Sequence, residues 1–395
     1  MRLCMIEPLS SDDVLNSFES ESHHVVSLAA IQQQLSGSQR EQIQQWQDER
    51  ALLQKELTAL DSAQQRTVYT CVGKDPQPSR FLPRGNVSAP GETVAPSGLL
   101  TIQGIDPNFE VPPNATDADR RQALANWVTD ANNPLFARVI VNRLWLAHFG
   151  QGLVATPSDF GFNGGQPSHP ELLDWLASQL KDNGFRLKEL HRLMVTSATY
   201  RQSSTLRADA AQVDADNRWL WRMTPRRLTA EEIRDAALLF GKRLDPQVGE
   251  IGYRDVRHFE FKGSNFYESI DESHQLLRRT VYRFTPRGGR NPFLDTFDCP
   301  DPSVTTPLRA TTTTPLQALA LMNNPLVFQL ADAFADRVAL EANQMSHQID
   351  RIYHIAYGRA ASNEETEAAH AFVEQFGLAA FCRIVLNSNE FLYVR

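Results

Sequence analysis

Cysteine is scarce in this sequence, and its few cysteines lie far apart. Four occur among 395 residues, namely Cys4, Cys71, Cys299 and Cys382, and none belongs to a C-x-x-C or C-x-x-C-H motif. Zinc ribbons and c-type haem attachment both require closely spaced cysteines, so neither is expected within this chain. We interpret the four as isolated, mostly buried thiols. The sequence therefore predicts no metal site and no cofactor in this chain.

Long apolar runs are missing as well. The N-terminus reads Met1-Arg2-Leu3-Cys4-Met5-Ile6-Glu7-Pro8, and its apolar stretch falls short of the roughly 7–15 residues of a signal-peptide core. No later stretch approaches the ~18 uncharged apolar residues that a membrane-spanning helix needs. As written, the sequence predicts a cytoplasmic protein without a membrane span.

Positive charge is not in excess, and familiar catalytic motifs are lacking. Lys and Arg total 39 and Asp and Glu total 47, which gives a net charge of −8. Nucleic-acid binders carry a basic surface, so we expect no nucleic-acid partner. The motifs G-x-S-x-G, G-x-G-x-x-G and H-E-x-x-H and the Walker loop do not occur, and so no reaction class follows from a motif.

What the sequence does contain divides it into three regions. For residues 1–66 we predict an N-terminal helical segment, with a helical hairpin from Leu28 to Arg66 that is broken at Gly37. Its short apolar seam between Ile43 and Leu60 is expected to pack on the rest of the chain, and dimerisation through the seam is the alternative. Residues 67–115 are rich in Pro and Gly after a strand-like start, which predicts a short extended, turn-rich segment and a linker. For residues 116–395 we predict a mainly α domain built of many helices.

Helix-capping signals recur along this third region and underlie its assignment. In a capping box, the N-cap side chain and the side chain three residues later each bond the other residue's backbone. Five pairs fit the spacing: Thr116 with Asp119, Ser168 with Glu171, Thr229 with Glu232, Thr314 with Gln317, and Ser362 with Glu365. Phe259 to Phe261 and Thr280 to Phe284 are the exceptions, and we expect them to form a small strand pair.

Two segments recur at one offset. Asn133-Pro134-Leu135 returns as Asn324-Pro325-Leu326, and Arg192-Leu193-Met194-Val195 with Ser197 and Tyr200 matches Arg383-Ile384-Val385-Leu386 with Ser388 and Phe391, each 191 residues later. The matches predict a duplicated helical unit. The alternative is chance, because Asn-Pro pairs and aliphatic runs are common.

A polar stripe crosses the apolar segment from Pro134 to Phe149, which predicts a buried helix. Arg138, Asn142 and Trp145 fall on one face of it. A buried arginine needs a partner, so the favoured interpretation is an Arg–carboxylate clasp between helices. The functional alternative is a pocket that presents Arg138, Asn142 and His148 to an anion.

The long loop that follows carries Asp159, His169 and Glu171 among several glycines. Ordered loops of this length often carry function, and Asp159 with His169 forms a candidate acid/base pair. The alternative is that His169-Pro170 merely introduces a helix whose leucines pack in the core. Two further weak candidates are Asp298 and Asp301, because paired carboxylates serve glycosidic acid/base chemistry; an ordinary turn explains them equally.

Five arginines crowd the thirteen positions from 278 to 290: Arg278, Arg279, Arg283, Arg287 and Arg290. Guanidinium groups suit carboxylate, sulfate or phosphate, and the neighbouring glycines expose backbone N–H groups. We therefore take Arg283, Arg287 and Arg290 as candidate anion ligands. The alternative is a solvated basic strand that pairs with acidic residues, and both interpretations stay open.

Several longer segments carry a resemblance to a known family. They include Asn142-Arg143-Leu144-Trp145, Ser168-His169-Pro170-Glu171-Leu172-Leu173-Asp174-Trp175, Thr313-Thr314-Pro315-Leu316-Gln317-Ala318-Leu319 and Leu386-Asn387-Ser388-Asn389-Glu390-Phe391-Leu392. The chain from about residue 115 to 395 resembles the C-terminal domain of unknown function of large, mostly planctomycete proteins. Such proteins carry an export signal, a cytochrome c domain and a second unknown domain upstream, so the resemblance implies that this chain is N-terminally truncated.

Two functions follow from these observations. The first is a non-catalytic binding or scaffold module of an exported multidomain protein, for which the resemblance implies a cytochrome c partner. The second is an enzyme acting on an acidic polymer such as a polysaccharide, with the arginines gripping the anion and Asp159 with His169, or Asp298 with Asp301, as acid and base. Either way, the expected ligand is an acidic polymer or a small anion.

Overall fold

The computed structural model describes residues 36–64, 72–74, 76–112, 114–249, 252–270 and 277–394. The chain divides into two units, residues 1–77 and 78–395. The first half of the expected N-terminal hairpin, Cys4, Cys71 and most of the strand-like stretch at 67–72 lie outside the described residues. Helices account for 51% of the structure, which confirms the mainly α fold.

Helix α1, Gly37–Gln64, is the described element of the first unit, and it begins at the glycine where the sequence predicted a break. Its apolar seam is exposed, with Trp46 at 61%, Leu53 at 53% and Leu57 at 62% of their full accessibility. The second unit opens with an extended, turn-rich segment held by isolated antiparallel bridges from Arg80 to Thr93 and from Ser97 to Asn108.

The first part of the second unit builds one apolar core. Its helices are α2 (Asp117–Thr129), α3 (Pro134–Phe149), α4 (Pro170–Asp182), α5 (Leu187–Thr196), α6 (Ala198–Arg201) and α7 (Ala208–Val213). Residues about one helical turn apart on α3, such as Val141 and Trp145, meet Leu176 and Leu180 of α4 and Met194 of α5. We call residues 134–223, which enclose this core, the N-lobe.

A second apolar core follows in residues 226–394, the C-lobe. Its elements are β1 (Arg226–Arg227), α8 (Ala230–Phe240), β2 (Val256–Phe261), β3 (Ser264–Ser269), α9 (Pro292–Thr296), α10 (Pro315–Asn323), α11 (Pro325–Glu341), α12 (Met345–Tyr357), α13 (Asn363–Phe376), α14 (Leu378–Leu386), α15 (Asn389–Leu392) and β4 (Tyr393–Val394). Phe334 and Val338 of α11 are fully buried and lie at its centre, with Leu238, Ile352 and Leu386 around them.

Four of the five predicted capping boxes are confirmed, and they start α2, α8, α10 and α13. The Ser168–Glu171 box is wrong. His169 is the N-cap of α4 and makes no side-chain cap, because Pro170 takes the first helical position and leaves Ser168 one residue too early. The Ser168 hydroxyl donates instead to the carbonyl of Leu153, at 3.3 Å.

The predicted strand pair is wrong in its partner. Residues 256–261 do form a strand, but they pair antiparallel with β3, joined by a two-residue turn at Lys262 and Gly263. Both turn residues have positive φ, 51° and 74°, as the tight hairpin turn requires. Thr280 to Tyr282 is a short 3-10 helix, and the Thr280 N–H donates to Asp235 at 2.9 Å. Pairing of β2 with β3 closes a loop of only two residues, so it costs less chain entropy than pairing with the distant segment 280–284.

The repeated segments adopt the same local structure. Asn133 caps α3 by accepting from the N–H of Leu135 at 3.0 Å, and Asn324 caps α11 by accepting from Leu326 at 2.9 Å. After α5 and after α14, Ser197 and Ser388 cap the four-residue helices α6 and α15. One helix lies between the matched segments in the N-lobe and two lie between them in the C-lobe, so duplication stays a prediction.

Two further findings concern the cysteines and the apolar segments of the chain. Cys299 and Cys382 are free thiols, and burial raises the pKa of Cys382, which keeps it neutral. Within the described residues, no helix combines the length and apolar character that crossing a bilayer demands.

Candidate functional site

The polar stripe of α3 is divided among separate partners. Arg138 donates through Nε to Asp174 of α4 at 2.6 Å, so the interhelical clasp is present. It is not buried as expected, because 35% of the Arg138 side chain and 53% of the Asp174 side chain are exposed. Asn142 is fully buried, and its amide exchanges two hydrogen bonds with the backbone of Val154, at 2.9 and 2.8 Å.

His148 lies further along α3 and faces a second histidine. Its Nε2 is 2.7 Å from Nδ1 of His191, and Tyr200 packs edge-on against its ring. Burial lowers the pKa of His148, and the neighbouring His191 and Arg226 lower it further. Arg138, Asn142 and His148 thus each have their own protein partner, and their role as anion ligands stays a prediction.

Asp159 and His169 also bond different neighbours. The Asp159 carboxylate accepts from the N–H of Gly161 at 2.9 Å and shapes its own loop. The His169 ring lies 3.0 Å from the Ser168 hydroxyl and contacts the edge of Trp219. Among the described residues, no hydrogen bond joins Asp159 to His169, so an acid/base role for the pair stays a prediction.

Most of the arginine cluster is engaged within the protein. Arg283 donates to Asp255 at 2.7 Å with both side chains buried, and Arg290 donates to Asp295 at 2.8 Å. Arg278 donates to the carbonyls of Gln247 and Gly249. The alternative interpretation of the cluster, pairing with acidic residues, therefore holds for Arg283 and Arg290. Arg287 is exposed.

The carboxylates of Asp298 and Asp301 accept hydrogen bonds from nearby residues of the protein. Asp298 accepts from the N–H and hydroxyl of Thr312, both at 2.8 Å, and from the amide of Gln317 at 3.3 Å. Asp301 accepts from the N–H of Ser303, and this hydrogen bond lowers its pKa. A glycosidic general acid needs a raised pKa, so the environment of Asp301 disfavours that role.

Sequence reasoning missed a cleft that opens between the two lobes. Its volume is about 660 Å³, within the usual range for small-molecule sites. The lining comprises Ser204, Thr205, Leu206 and Arg222 from the N-lobe, Pro225 from the connection, and Thr313, Asn389 and Tyr393 from the C-lobe. Five of these eight residues carry a hydroxyl or an amide in their side chain, and none of these described lining residues carries a carboxylate.

Arg222 is the charged group of this cleft. Its guanidinium lies 5.0 Å from the centre of the Trp221 ring, and one terminal nitrogen reaches the Ser204 carbonyl at 3.4 Å. The Nε atom is buried, yet nothing within the described ranges accepts its hydrogen bond. Because Nε is shielded from solvent, a ligand in the cleft would meet this guanidinium at its terminal nitrogens.

A strained loop holds Arg222 in place. Asn217 and Leu220 have positive φ, 54° and 55°. Asparagine adopts this region readily, whereas it is costly for leucine. The Asn217 amide donates to the Arg222 carbonyl at 2.9 Å and accepts from its N–H at 3.2 Å. Sequence reasoning made no use of the run Arg218-Trp219-Leu220-Trp221-Arg222, although Arg and Trp together are typical of binding surfaces.

Comparison with models of known protein families assigns the chain to a family. The family model described as PSD1, a protein of unknown function (DUF1553), matches residues 120–373. The chain belongs to this family. The expected domain of unknown function is thereby confirmed, and the PSD1 match spans the whole N-lobe and most of the C-lobe. Searches of curated proteins and of solved structures found no match to this chain.

The PSD1 match covers most of the cleft. Six of its eight lining residues fall within 120–373, whereas Asn389 and Tyr393 lie beyond the match. Tyr393 belongs to β4, which pairs with β1 and so returns the chain end to the lobe junction. Its phenol lies 3.3 Å from the Thr313 hydroxyl. The described part of the PSD1 domain contains no group of three or more side chains placed to hold a metal ion.

Proposed function

We propose that this protein is a non-catalytic binding module whose interlobe cleft takes a hydroxylated ligand bearing an oxyanion, such as a sugar acid or a sugar phosphate. The observation that carries the proposal is the guanidinium of Arg222, the charged group among the described lining residues, in a cleft where four of the other residues carry a hydroxyl and one carries an amide. Guanidinium groups bind carboxylate and phosphate through two nitrogens at once.

The lining explains why the ligand is both anionic and hydroxylated. A carboxylate in the lining would oppose an anion, and the described lining residues carry none. Ser204, Thr205, Thr313 and Tyr393 each donate and accept, and Asn389 does so through its amide, which suits the hydroxyls of a sugar. The anion of the ligand would face Arg222, and its hydroxyls would face the C-lobe wall.

The same lining supports binding rather than catalysis. Acid/base catalysis most often uses a histidine or a carboxylate, and a serine or threonine nucleophile needs a base beside it. The described lining residues offer no histidine, carboxylate or thiol. The alternative of an enzyme on an acidic polymer has less support, because Arg283 and Arg290 already bond Asp255 and Asp295.

The resemblance to large planctomycete proteins extends the proposal. On the strength of this resemblance, we further propose that the binding role belongs to an exported multidomain protein with a cytochrome c partner. Fractionation of a tagged full-length relative in its host tests this extension, and recovery of the relative only in the cytoplasm would contradict it.

Titration calorimetry with three ligands tests the cleft. We expect glucuronate and glucose 6-phosphate to bind more tightly than glucose, because glucose lacks the oxyanion. Arg222→Gln should weaken glucuronate by about 10- to 100-fold, the effect of losing a hydrogen bond to a charged group worth about 1.5–3 kcal/mol. Binding of glucose should change little in this variant.

Arg218→Gln is the matched control. Arg218 lies in the same loop, packs over Trp219 and is exposed, but it does not line the cleft. The substitution removes the same charge and should leave glucuronate binding within a few-fold. Equal losses in the two variants, or equal affinity for glucose and glucuronate, would contradict the proposal.

A further inference from the structure

Helix α1 carries its apolar seam at the spacing of a coiled coil. The seam positions follow one another at alternating intervals of three and four residues: Ile43, Trp46, Arg50, Leu53, Leu57 and Leu60. These are the intervals between the a and d positions of a heptad repeat, which form the contact face of paired helices. Trp46, Leu53 and Leu57 are each more than half exposed. The face is therefore formed and open to a partner.

A groove of about 270 Å³ lies on this face. All of its lining residues belong to α1: Trp46, Glu49, Arg50, Leu53, Gln54 and Leu57. With Ile43 taken as an a position, each of them falls at a, d, e or g, the four positions that meet the partner helix in a coiled coil. Helices in proteins owe most of their stability to packing of an apolar face, so the groove fits a second helix.

Arg50 interrupts the seam at its central a position and indicates what that second helix is. Arg50 and Glu49 are exposed, and neither bonds another side chain in the described part of the chain. In a parallel pair of helices, an a residue lies beside the preceding g residue of the other helix. Arg50 of each copy would then meet Glu49 of the other, and two ion pairs would neutralise this layer. The face is thus complementary to itself.

The charges also select the orientation and the number of helices. In an antiparallel pair with aligned seams, Glu49 would lie beside Glu56 of the other helix, and Arg50 would meet Gln54 instead of a carboxylate. A third helix would bring a third arginine into the same layer. The parallel pair is favoured, but it is weak, because the seam covers only about two and a half heptads. Glu56 of one helix and Asp61 of the other also repel each other near its end.

We infer that α1 is a self-association surface: two copies of this chain form a parallel, two-stranded coiled coil in which Arg50 of each copy pairs with Glu49 of the other. A symmetric dimer uses the same patch on both subunits, and a self-complementary face meets this requirement. The inference does not rest on the interlobe cleft, because no lining residue of the cleft belongs to α1.

Sedimentation equilibrium of the full chain tests the inference with two adjacent leucines. Leu53 lies at a d position and Leu52 at a c position, yet they are similarly exposed, 53% and 59%. The wild-type chain should pass reversibly from monomer to dimer as its concentration rises. Leu53→Asp should raise the dissociation constant by about 100-fold or more, because the dimer loses two apolar contacts. Leu52→Asp is the matched control and should leave the constant within about threefold.

Three outcomes of this experiment would overturn the inference. A wild-type chain that stays monomeric up to about 1 mM would show that the seam packs within its own chain or stays free. A dimer that persists in Leu53→Asp would form through another surface. Equal losses in Leu53→Asp and Leu52→Asp would show that association does not follow the heptad.

A charge exchange tests the pairing of Arg50 with Glu49. Arg50→Glu should raise the dissociation constant by about tenfold or more, because it brings four carboxylates into one layer. The double variant Glu49→Arg, Arg50→Glu restores opposite charges across the interface and should return the constant to within about threefold of the wild-type value. Near-ultraviolet circular dichroism checks that each variant keeps its fold. Without recovery in the double variant, the parallel pairing is wrong and the inference fails.

Discussion

At the scale of single residues, the partner decides what a charged side chain does. Arg283 and Arg222 are the same residue type in basic stretches of the chain, yet Arg283 bonds a buried carboxylate and Arg222 meets an open cleft. A paired guanidinium holds the fold together, whereas one that lines an open cleft is available to a ligand. Composition alone does not separate these two roles.

The pH dependence of stability tests the contribution of the ion pairs around Glu341. Lys242, Arg337 and Arg351 all donate to this carboxylate and lower its pKa from 4.5 to about 2. A depressed pKa in the folded state stabilises the fold fully above pH 4.5, and this stabilisation is lost as the pH falls toward 2. We expect Glu341→Gln to lower the free energy of unfolding by about 1 kcal/mol at pH 7, a modest value because solvent screens the cluster.

Urea unfolding at a series of pH values measures this effect. The difference between the wild-type and Glu341→Gln proteins should narrow between pH 4.5 and pH 2, and added salt should reduce it at pH 7. Glu367→Gln is the control, because Glu367 is exposed on α13 and should cost less than about 0.5 kcal/mol. A constant difference across the pH range would contradict the assignment.

At the scale of secondary-structure elements, local signals placed most helices correctly. The four confirmed capping boxes need contacts only three residues apart, so the chain satisfies them wherever a helix begins. The strand pair failed because its predicted partner lay about twenty residues away in sequence, whereas β2 and β3 are joined by two residues. Gly241 ends α8 with a φ of −82°, and a Cβ there would lie 3.0 Å from that of Ala333 on α11.

Two serines that look alike in the sequence should differ in their effect on stability. Ser362 caps α13 in a full capping box, whereas Ser168 precedes α4 without capping it. We expect Ser362→Ala to cost about 1 kcal/mol, the usual value of an N-cap, and Ser168→Ala to cost clearly less. Thermal unfolding of both variants decides the matter, and a larger loss for Ser168→Ala would show that the helix start is misassigned.

At the scale of the whole molecule, the two lobes have separate cores and share a cleft. The family match ends at residue 373, but the C-lobe core does not. Six residues of α14 and α15 are buried in it: Phe381, Cys382, Val385, Leu386, Phe391 and Leu392. The last helices are therefore part of the fold and also carry the C-lobe wall of the cleft.

A truncation at residue 373 tests the role of these helices. Each large apolar side chain contributes about 1.5–3 kcal/mol by burial, so removing the five other than Cys382 takes away an amount comparable to a net stability of about 5–15 kcal/mol. We expect the shortened chain to lose cooperative thermal unfolding, measured by near-ultraviolet circular dichroism. A chain that ends at Leu392 loses only β4 and should still unfold cooperatively. Cooperative unfolding of the shorter chain near the wild-type temperature would contradict this role.

The sequence by itself determined the mainly α fold, most helix starts and the family, because helical periodicity, caps and motifs are local properties of the chain. Only the tertiary structure decided which charged groups have partners. Asp255 meets Arg283 across 28 positions, and the cleft joins Arg222 to Thr313 and Tyr393. Such neighbours are set by how helices pack, and the strength of each charge interaction depends on that distance and burial. The sequence therefore identified arginines as candidate anion ligands, but it did not identify Arg222 as the one that lines a cleft.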